Sequence, residues 1–204
     1  MPSPAPLRRH PQQERSRRMV ERILEAAHEV LLVEGHDAAS TNRIARRAGI
    51  SPGSLYQYFD GKEAIVDAVV ARYSDDLAAR VAAAFTTNLG ARGETVAHDS
   101  VAALLAALEA DAEMLRVVTE QLPLAHHRER LVALRDQVTQ LVATYLAAQR
   151  PTRAVEPETA AWLLVRTVEQ LTVRYVLDAP SIAREVFVSE LTHLVLAHLE
   201  PRRT

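Results

Sequence analysis

The segment 40–62 reads STNRIARRAGISPGSLYQYFDGK and consists of two short helical patterns separated by a glycine. In the first pattern, small apolar residues recur at the three- and four-residue spacing of one helix face, and Gly49 follows as a residue that favours a positive φ. Ser51 and Pro52 mark a second helix start, because serine caps free N–H groups and proline suits the first turn. The segment therefore predicts helix, tight turn and helix.

The second of these helices has an apolar and a polar side. Leu55 and Phe59 are four residues apart and anchor it to a core. Two helices joined by such a turn form a helix-turn-helix unit, whose second helix enters the major groove of DNA. Glutamine can bond adenine there, and hydroxyl groups bond phosphates. The side left for these contacts carries Gly53, Ser54, Tyr56, Gln57 and Tyr58.

The composition is that of a globular protein. The chain has 204 residues, of which 48% are apolar and 25% charged, enough for one domain or two small ones. It contains no cysteine, which excludes disulfides and thiolate chemistry. The longest apolar run, Val101–Leu108, is too short to span a membrane, and the first residues lack the apolar core of a signal peptide. We expect a soluble, cytoplasmic protein with no membrane contact.

The basic residues are concentrated near the start of the chain. Residues 1–62 carry ten basic and seven acidic side chains, a net charge of +3 that leaves −5 for the remainder. A basic region on an otherwise acidic protein is typical of a DNA-binding domain, although a solvated charged face has the same composition. An arm of residues 1–12, with Arg8 and Arg9, can contact phosphates or the minor groove, or simply solubilise the terminus.

Helical periodicity continues on both sides of this segment, and no segment alternates as a strand does. The predicted fold is all-α with nine helices. Besides the two short helices above, the predicted helices cover residues 14–34, 62–85, 95–109, 111–121, 124–149, 157–178 and 181–199.

The segment resembles the DNA-binding domain of the tetracycline-repressor (TetR) family of bacterial one-component regulators. The similarity rests on Thr41, the pairs Ile44-Ala45 and Ala48-Gly49, Ser51, Gly53, and the run Leu55–Phe59 followed by Lys62-Glu63. The resemblance implies an arm and a three-helix DNA-binding domain over residues 1–61, and an effector-binding and dimerisation domain over 62–204 with the fourth helix as connector. It also implies a homodimeric repressor that a small apolar or amphipathic effector releases from palindromic operator DNA.

The resemblance implies particular DNA contacts as well. Thr41 and Asn42 approach the DNA at the start of the second helix, and Thr41 contacts a phosphate. Tyr58 stands where the family often has histidine, so it keeps a phosphate contact but lacks a cationic one. Lys62 pairs with a further phosphate. The complete implied set is Thr41, Asn42, Arg43, Ser51, Gly53, Ser54, Tyr56, Gln57, Tyr58 and Lys62.

The last two predicted helices carry apolar residues on more than one side, so each must bury more than one face. In the resembled family these helices pair with those of a second subunit as a four-helix bundle. The alternative is that both helices are buried within a monomer. The expected dimer interface comprises Val173, Phe187, Val188, Leu191, Leu194 and Val195.

The family resemblance also implies an effector cavity lined by the middle helices. Glu169 has apolar neighbours on its side of the helix and can either orient a cationic or hydroxylated ligand or pair with Arg166 or an arginine of a second subunit. The expected ligand contacts are Leu105, Leu108, Met114, Val118, Leu134, Val138, Trp162 and Glu169. The pair His126-His127 can line an entrance or start a helix.

Enzyme and metal patterns occur only in part. Residues 49–53 match Gly-x-Ser-x-Gly, but a nucleophile elbow needs a strand before the serine and this one follows a helical pattern. His28-Glu29 lacks the second histidine of a zinc helix, and His193 and His198 are five residues apart, on different helix faces. We therefore expect no catalytic residue, metal or cofactor. A helical protein-interaction module without DNA binding, an activator and an effector-independent repressor remain as alternatives.

Overall fold

The computed structural model describes residues 11–87, 91, 93–122, 124–149 and 156–199, with side chains from Glu14 onward except those of 123–131. Within these residues it has nine α-helices and no strand, so the predicted all-α fold is confirmed. The predicted arm with Arg8 and Arg9, and the side chains of His126-His127, lie outside the described residues. The helices are α1 (Pro11–Ala38), α2 (Thr41–Arg47), α3 (Pro52–Leu55), α4 (Lys62–Thr87), α5 (Gly93–Glu109), α6 (Ala112–Arg116), α7 (Leu124–Gln149), α8 (Pro157–Asp178) and α9 (Arg184–Leu199).

The chain divides into two compact units, Met1–Val70 and Ala71–Thr204. The division lies inside α4, the helix that the sequence analysis expects to connect the two domains. Helix α4 therefore contributes residues to each unit.

The first unit is built on a small apolar core from α1 to the start of α4. Leu55 of α3 is completely buried in this unit. Two glycines with positive φ break the helical path in this unit. Gly35, with φ 76°, interrupts α1 near its end, and Gly49, with φ 65°, follows α2. The other completely buried members of the core are Ile23, Ala27, Leu31, Ile44, Ala45, Ile65 and Val66.

Serine caps begin the two short helices. The Ser40 hydroxyl oxygen accepts the N–H of Arg43 at 3.3 Å, and that of Ser51 accepts the N–H of Ser54 at 3.1 Å. Helix α3 is shorter than the two turns expected, because only Pro52–Leu55 is α-helical and the next residues continue as hydrogen-bonded turns. Ser51 thus caps a helix after a helical segment, not after a strand as a nucleophile elbow requires.

The second unit packs α5 against α8 and α9, and α7 against α8. Its most buried side chains include Leu105 of α5 and Ala161 of α8. The predicted helix over 111–121 is in fact α6 followed by a π-helical turn, Val117–Gln121. Within the described residues, no helix is both long and apolar enough to cross a membrane.

The positive φ of Gly49 yields a stability prediction. A Cβ in the left-handed region costs about 1–2 kcal/mol, so Gly49→Ala should lower the free energy of unfolding by that amount. The added Cβ would lie 3.4 Å from a guanidinium nitrogen of Arg22, an ordinary contact, so the cost is conformational. Urea unfolding followed by circular dichroism measures it.

Gly61→Ala is the matched control. Nothing lies within 4 Å of a Cβ added there, and its φ is not positive. We expect a change of at most about 0.5 kcal/mol. Equal destabilisation by both substitutions would show that backbone conformation is not the reason for glycine at position 49.

Candidate functional site

The exposed side of α3 and of the turns after it holds most of the predicted DNA contacts. Gly53 and Gln57 are exposed, and Tyr56 is 54% exposed despite its large ring. Tyr58 is half-buried, which leaves its ring partly packed. The polar side expected from the sequence is therefore a real surface on this short helix.

Two hydroxyl pairs organise this surface. The Thr41 hydroxyl, at the start of α2, lies 3.2 Å from the hydroxyl of Tyr56, so the structure brings these two predicted contacts together. The Ser51 and Ser54 hydroxyls are 2.9 Å apart. In each pair one hydroxyl donates to the other, so the accepting hydroxyl keeps its proton and can donate it to a phosphate oxygen.

The arginines of α2 lie on two different faces of the helix. Arg43, a predicted DNA contact, pairs with the Glu34 carboxylate of α1 and donates to the Ala38 carbonyl at 2.9 Å. Arg47, one turn later, pairs in the same way with Glu29. Both guanidinium groups are therefore already paired with a carboxylate of the protein.

Asn42 and Arg46 lie on the other face, one turn apart, and both are exposed. No ion pair between Arg46 and an acid occurs among the described side chains. Arg46 is not in the predicted contact set, yet it is the α2 arginine whose charge stays unpaired. Arg46 is four residues from Asn42 and so shares the helix face of a predicted DNA contact, which was the sequence signal that could have identified it.

Lys62 has a structural partner that its predicted role did not include. Its ammonium group donates to the His36 carbonyl at 2.8 Å, and its side chain is 23% exposed. The bond ties the start of α4 to the end of α1. An ammonium group has three donors, so a phosphate contact remains compatible with this bond.

The second unit encloses a largely apolar cavity of about 560 Å³. Its wall comes from α4, α5, α7, α8 and α9. Side chains of α4 in the wall include Leu77, Val81 and Phe85. Tyr145 is another wall residue, and its ring lies edge-on to that of Phe85. Burial raises the pKa of its hydroxyl, because the charged form would lose solvation.

An ion pair forms the charged part of this wall. Arg135 of α7 donates through Nε to both carboxylate oxygens of Glu169 of α8, each at 2.7 Å. Arg166, the partner considered from the sequence, instead has its guanidinium carbon 5.8 Å from the ring centre of Trp162. Sequence reasoning missed Arg135, because the pairing of α7 with α8 is a tertiary contact.

The predicted ligand contacts separate into three groups. Leu134, Val138 and Glu169 line the cavity. Trp162 lies on the surface, 52% exposed, because its side of α8 is not covered within the protomer. The remaining four are buried in the core and are not part of the cavity wall: Leu105, Leu108, Met114 and Val118.

The predicted dimer residues are also divided. Only Leu194 is exposed, at 47%. Phe187 stacks on Tyr175 with ring centres 4.1 Å apart, and Val173 packs against a core cluster. The other three are buried inside the protomer and so cannot form an outer surface. Val188 and Leu191 pack against α5, and Val195 packs in a cluster with residues of α7 and α8.

Two family models match the chain. Residues 23–69 match the bacterial regulatory proteins of the tetR family, and residues 94–199 match the tetracyclin repressor-like C-terminal domain. The second match alone covers more than half of the chain. The chain belongs to the tetR family. It is therefore a DNA-binding transcriptional regulator, and its α2–α3 unit is the family's helix-turn-helix.

Curated tetR-like relatives match mainly over the DNA-binding region. The transcriptional regulator SrpR of Pseudomonas putida is 41% identical over 51 residues, which are 25% of this chain and 24% of SrpR. The transcriptional activator FasR of Mycolicibacterium smegmatis is 36% identical over 98 residues, 48% of this chain and 44% of FasR. The matches thus span less than half the length of these relatives.

Solved structures of regulators share the whole fold. The fatty acid degradation regulator FadR of Bacillus halodurans superposes with a TM-score of 0.69 at 18% identity, covering 90% of this chain and 97% of its own. NalD, the secondary repressor of the MexAB-OprM multidrug efflux pump in Pseudomonas aeruginosa, gives 0.68 at 20% identity, covering 93% and 100%. At these identities the likeness shows the fold alone.

The unpaired charge of Arg46 yields a prediction for DNA binding. A cation that contacts phosphate releases counterions, so Arg46→Ala should reduce the slope of log affinity against log salt by about 0.9. Arg47→Ala removes the same charge from a position already paired with Glu29 and should change the slope much less. Fluorescence anisotropy with labelled DNA at several salt concentrations measures both, and equal effects would contradict the assignment.

Proposed function

We propose that this regulator is a homodimeric repressor that a small apolar or amphipathic effector releases from a palindromic operator. The observation that carries the proposal is the cavity of about 560 Å³ in the same chain as a helix-turn-helix. Binding cavities for small molecules commonly have 300–1,000 Å³, apolar walls and a few polar groups, roughly as found here. A chain with both features can couple ligand occupancy to DNA affinity.

The DNA-reading part of the proposal rests on the exposed side of α3. Gln57 is the exposed amide side chain there and supplies the donor and acceptor that adenine requires in the major groove. The paired hydroxyls of Thr41 and Tyr56 and of Ser51 and Ser54 suit phosphate oxygens. Base recognition therefore falls to Gln57, and the hydroxyl groups position the helix.

Release by an effector requires ligand and DNA binding to oppose each other. Such coupling is commonly worth about 1–3 kcal/mol and acts equally in both directions. Helix α4 supports it, because the helix begins with residues of the first unit at Lys62, and Leu77, Val81 and Phe85 of the same helix line the cavity. A ligand that displaces these side chains therefore acts on a helix that also belongs to the DNA-binding unit.

Dimerisation through α8 and α9 is supported by a set of exposed residues that shares only Leu194 with the set expected from the sequence. Large apolar side chains are left exposed on these helices and the loop between them, and exposed apolar clusters commonly mark interaction surfaces. A two-fold dimer uses the same patch on both subunits. The exposed set is Leu163, Leu171, Ile182, Val186 and Leu194, whereas Trp162 lies on the opposite side of α8 from Leu171.

An activator is the second candidate. The relative with the longest match described above, FasR of Mycolicibacterium smegmatis, is named a transcriptional activator and matches 48% of this chain. A reporter gene behind the bound DNA distinguishes the two, because deletion of a repressor raises expression and deletion of an activator lowers it.

We expect Gln57→Ala to lose about 1–3 kcal/mol of binding free energy at one base pair in each half-site. DNA sequences obtained by in vitro selection serve as probes, and each base pair is then varied singly. The selected sequence should be a palindrome whose half-sites lie about 34–36 Å apart or a multiple of that. A uniform loss on every sequence would make Gln57 a phosphate contact instead.

The proposed dimer surface is tested by Leu171→Glu combined with Leu194→Glu. Two buried charges without partners should disrupt the interface and lower the measured mass to that of one 22.6-kDa chain. Val33→Glu is the control, because Val33 is an 82% exposed apolar residue of α1 outside the surface. Light scattering after size exclusion measures the mass. A wild-type monomer, or a dimer that survives the double substitution, would refute this interface.

A further inference from the structure

Charge in the cavity wall restricts the class of effector. The wall is apolar except for a few groups, and the charged pair within it is Arg135 with Glu169, each about 30% exposed. One positive and one negative side chain make this pair neutral. Each ion is the other's partner, so neither offers an unpaired charge to a ligand.

A charged ligand would add net charge beside this neutral pair. An anion bound to the free guanidinium nitrogens of Arg135 would lie close to the like-charged Glu169, and a cation bound to Glu169 would lie close to the like-charged Arg135. Either ion would also lose solvation of its own head group in a largely apolar wall. Glu94, which also lines the cavity, repels an anion, and because it is exposed to solvent its attraction for a cation is screened.

A neutral hydroxyl group has the complementary chemistry. Its oxygen can accept a hydrogen bond from the guanidinium of Arg135 while its hydrogen is donated to the carboxylate of Glu169. Both additions leave the pair intact, because Glu169 receives its present bonds from Nε alone and each carboxylate oxygen accepts more than one bond.

The size of the cavity sets the apolar part of the ligand. A cavity of about 150 Å³ holds benzene, so one of about 560 Å³ has room for roughly 20 non-hydrogen atoms. We infer that the effector is an uncharged amphiphile, an apolar body with a hydroxyl group that docks on the Arg135–Glu169 pair. This inference rests on the proposed function, because it names the ligand class of the proposed effector cavity.

Three probes with unbranched apolar chains of about nine or ten carbons and different head groups test the inference: 1-decanol, decanoate and decyltrimethylammonium. Isothermal titration calorimetry on the full-length protein at pH 7 measures each affinity. We expect 1-decanol to bind at least about tenfold more tightly than either ion. Equal or tighter binding of an ion, or no binding of 1-decanol, would overturn the inference.

Reciprocal substitutions in the pair make the test specific. Glu169→Gln leaves Arg135 unpaired and should shift the preference to decanoate, whereas Arg135→Gln should shift it to decyltrimethylammonium. The double variant removes both charges and should restore the preference for 1-decanol, and it serves if either single variant fails to fold. An unchanged order of affinities in both folded single variants would show that the pair does not select the ligand.

Glu120→Gln is the matched control. It breaks the ion pair of Glu120 with Arg116, 3.4 Å apart, which is not part of the cavity wall. The order of the three affinities should not change. A changed order would mean that overall charge, and not the cavity pair, determines the preference.

Operator release is measured separately, by gel shift with each probe present. Selective binding of 1-decanol without release would leave the head-group inference standing and refute effector-controlled release. Equal binding of all three probes with operator release by each would support effector-controlled release and refute the head-group inference. The two proposals can therefore fail independently of each other.

Discussion

The burial of Leu55 holds the recognition helix in place. Helix α3 has only four α-helical residues, and so short a helix has no stability of its own in water. Leu55 is completely buried, and the Ser51 hydroxyl caps the helix start, so the core of the first unit and this cap position the exposed side with Gln57 and Tyr56. DNA recognition by the exposed side of α3 thus depends on the packing of Leu55 in the core beneath it.

Pairing within the protein determines which charges are available for DNA. Arg43 and Arg47 pair with carboxylates of α1 and so help to hold α2 against that helix. Arg46 has no carboxylate partner among the described side chains. Lys62 combines both roles, since one of its three donors already bonds the His36 carbonyl. A count of basic residues therefore overstates the charge that the helix-turn-helix presents to phosphates.

The second unit uses opposite sides of α8 for two purposes. One side contributes Leu164, Val168 and Glu169 to the cavity wall, and another leaves Leu163 and Leu171 exposed for a second subunit. Because both sides belong to one rigid helix, a ligand that shifts α8 also shifts the proposed dimer surface. The Arg135–Glu169 pair joins α7 to α8 at the cavity, so the proposed ligand contact uses the same two side chains that hold these helices together.

The sequence by itself determined the features that depend on near neighbours along the chain. The helix-turn-helix, its serine caps, the glycine stops and the all-α fold follow from caps, backbone preferences and helical spacing, which act over a few residues. Only the tertiary structure decided which apolar side of a helix faces the core. Val188 and Leu191 are buried by α5, Trp162 is left exposed, and Glu169 finds Arg135 instead of Arg166, because these outcomes depend on which helices pack together.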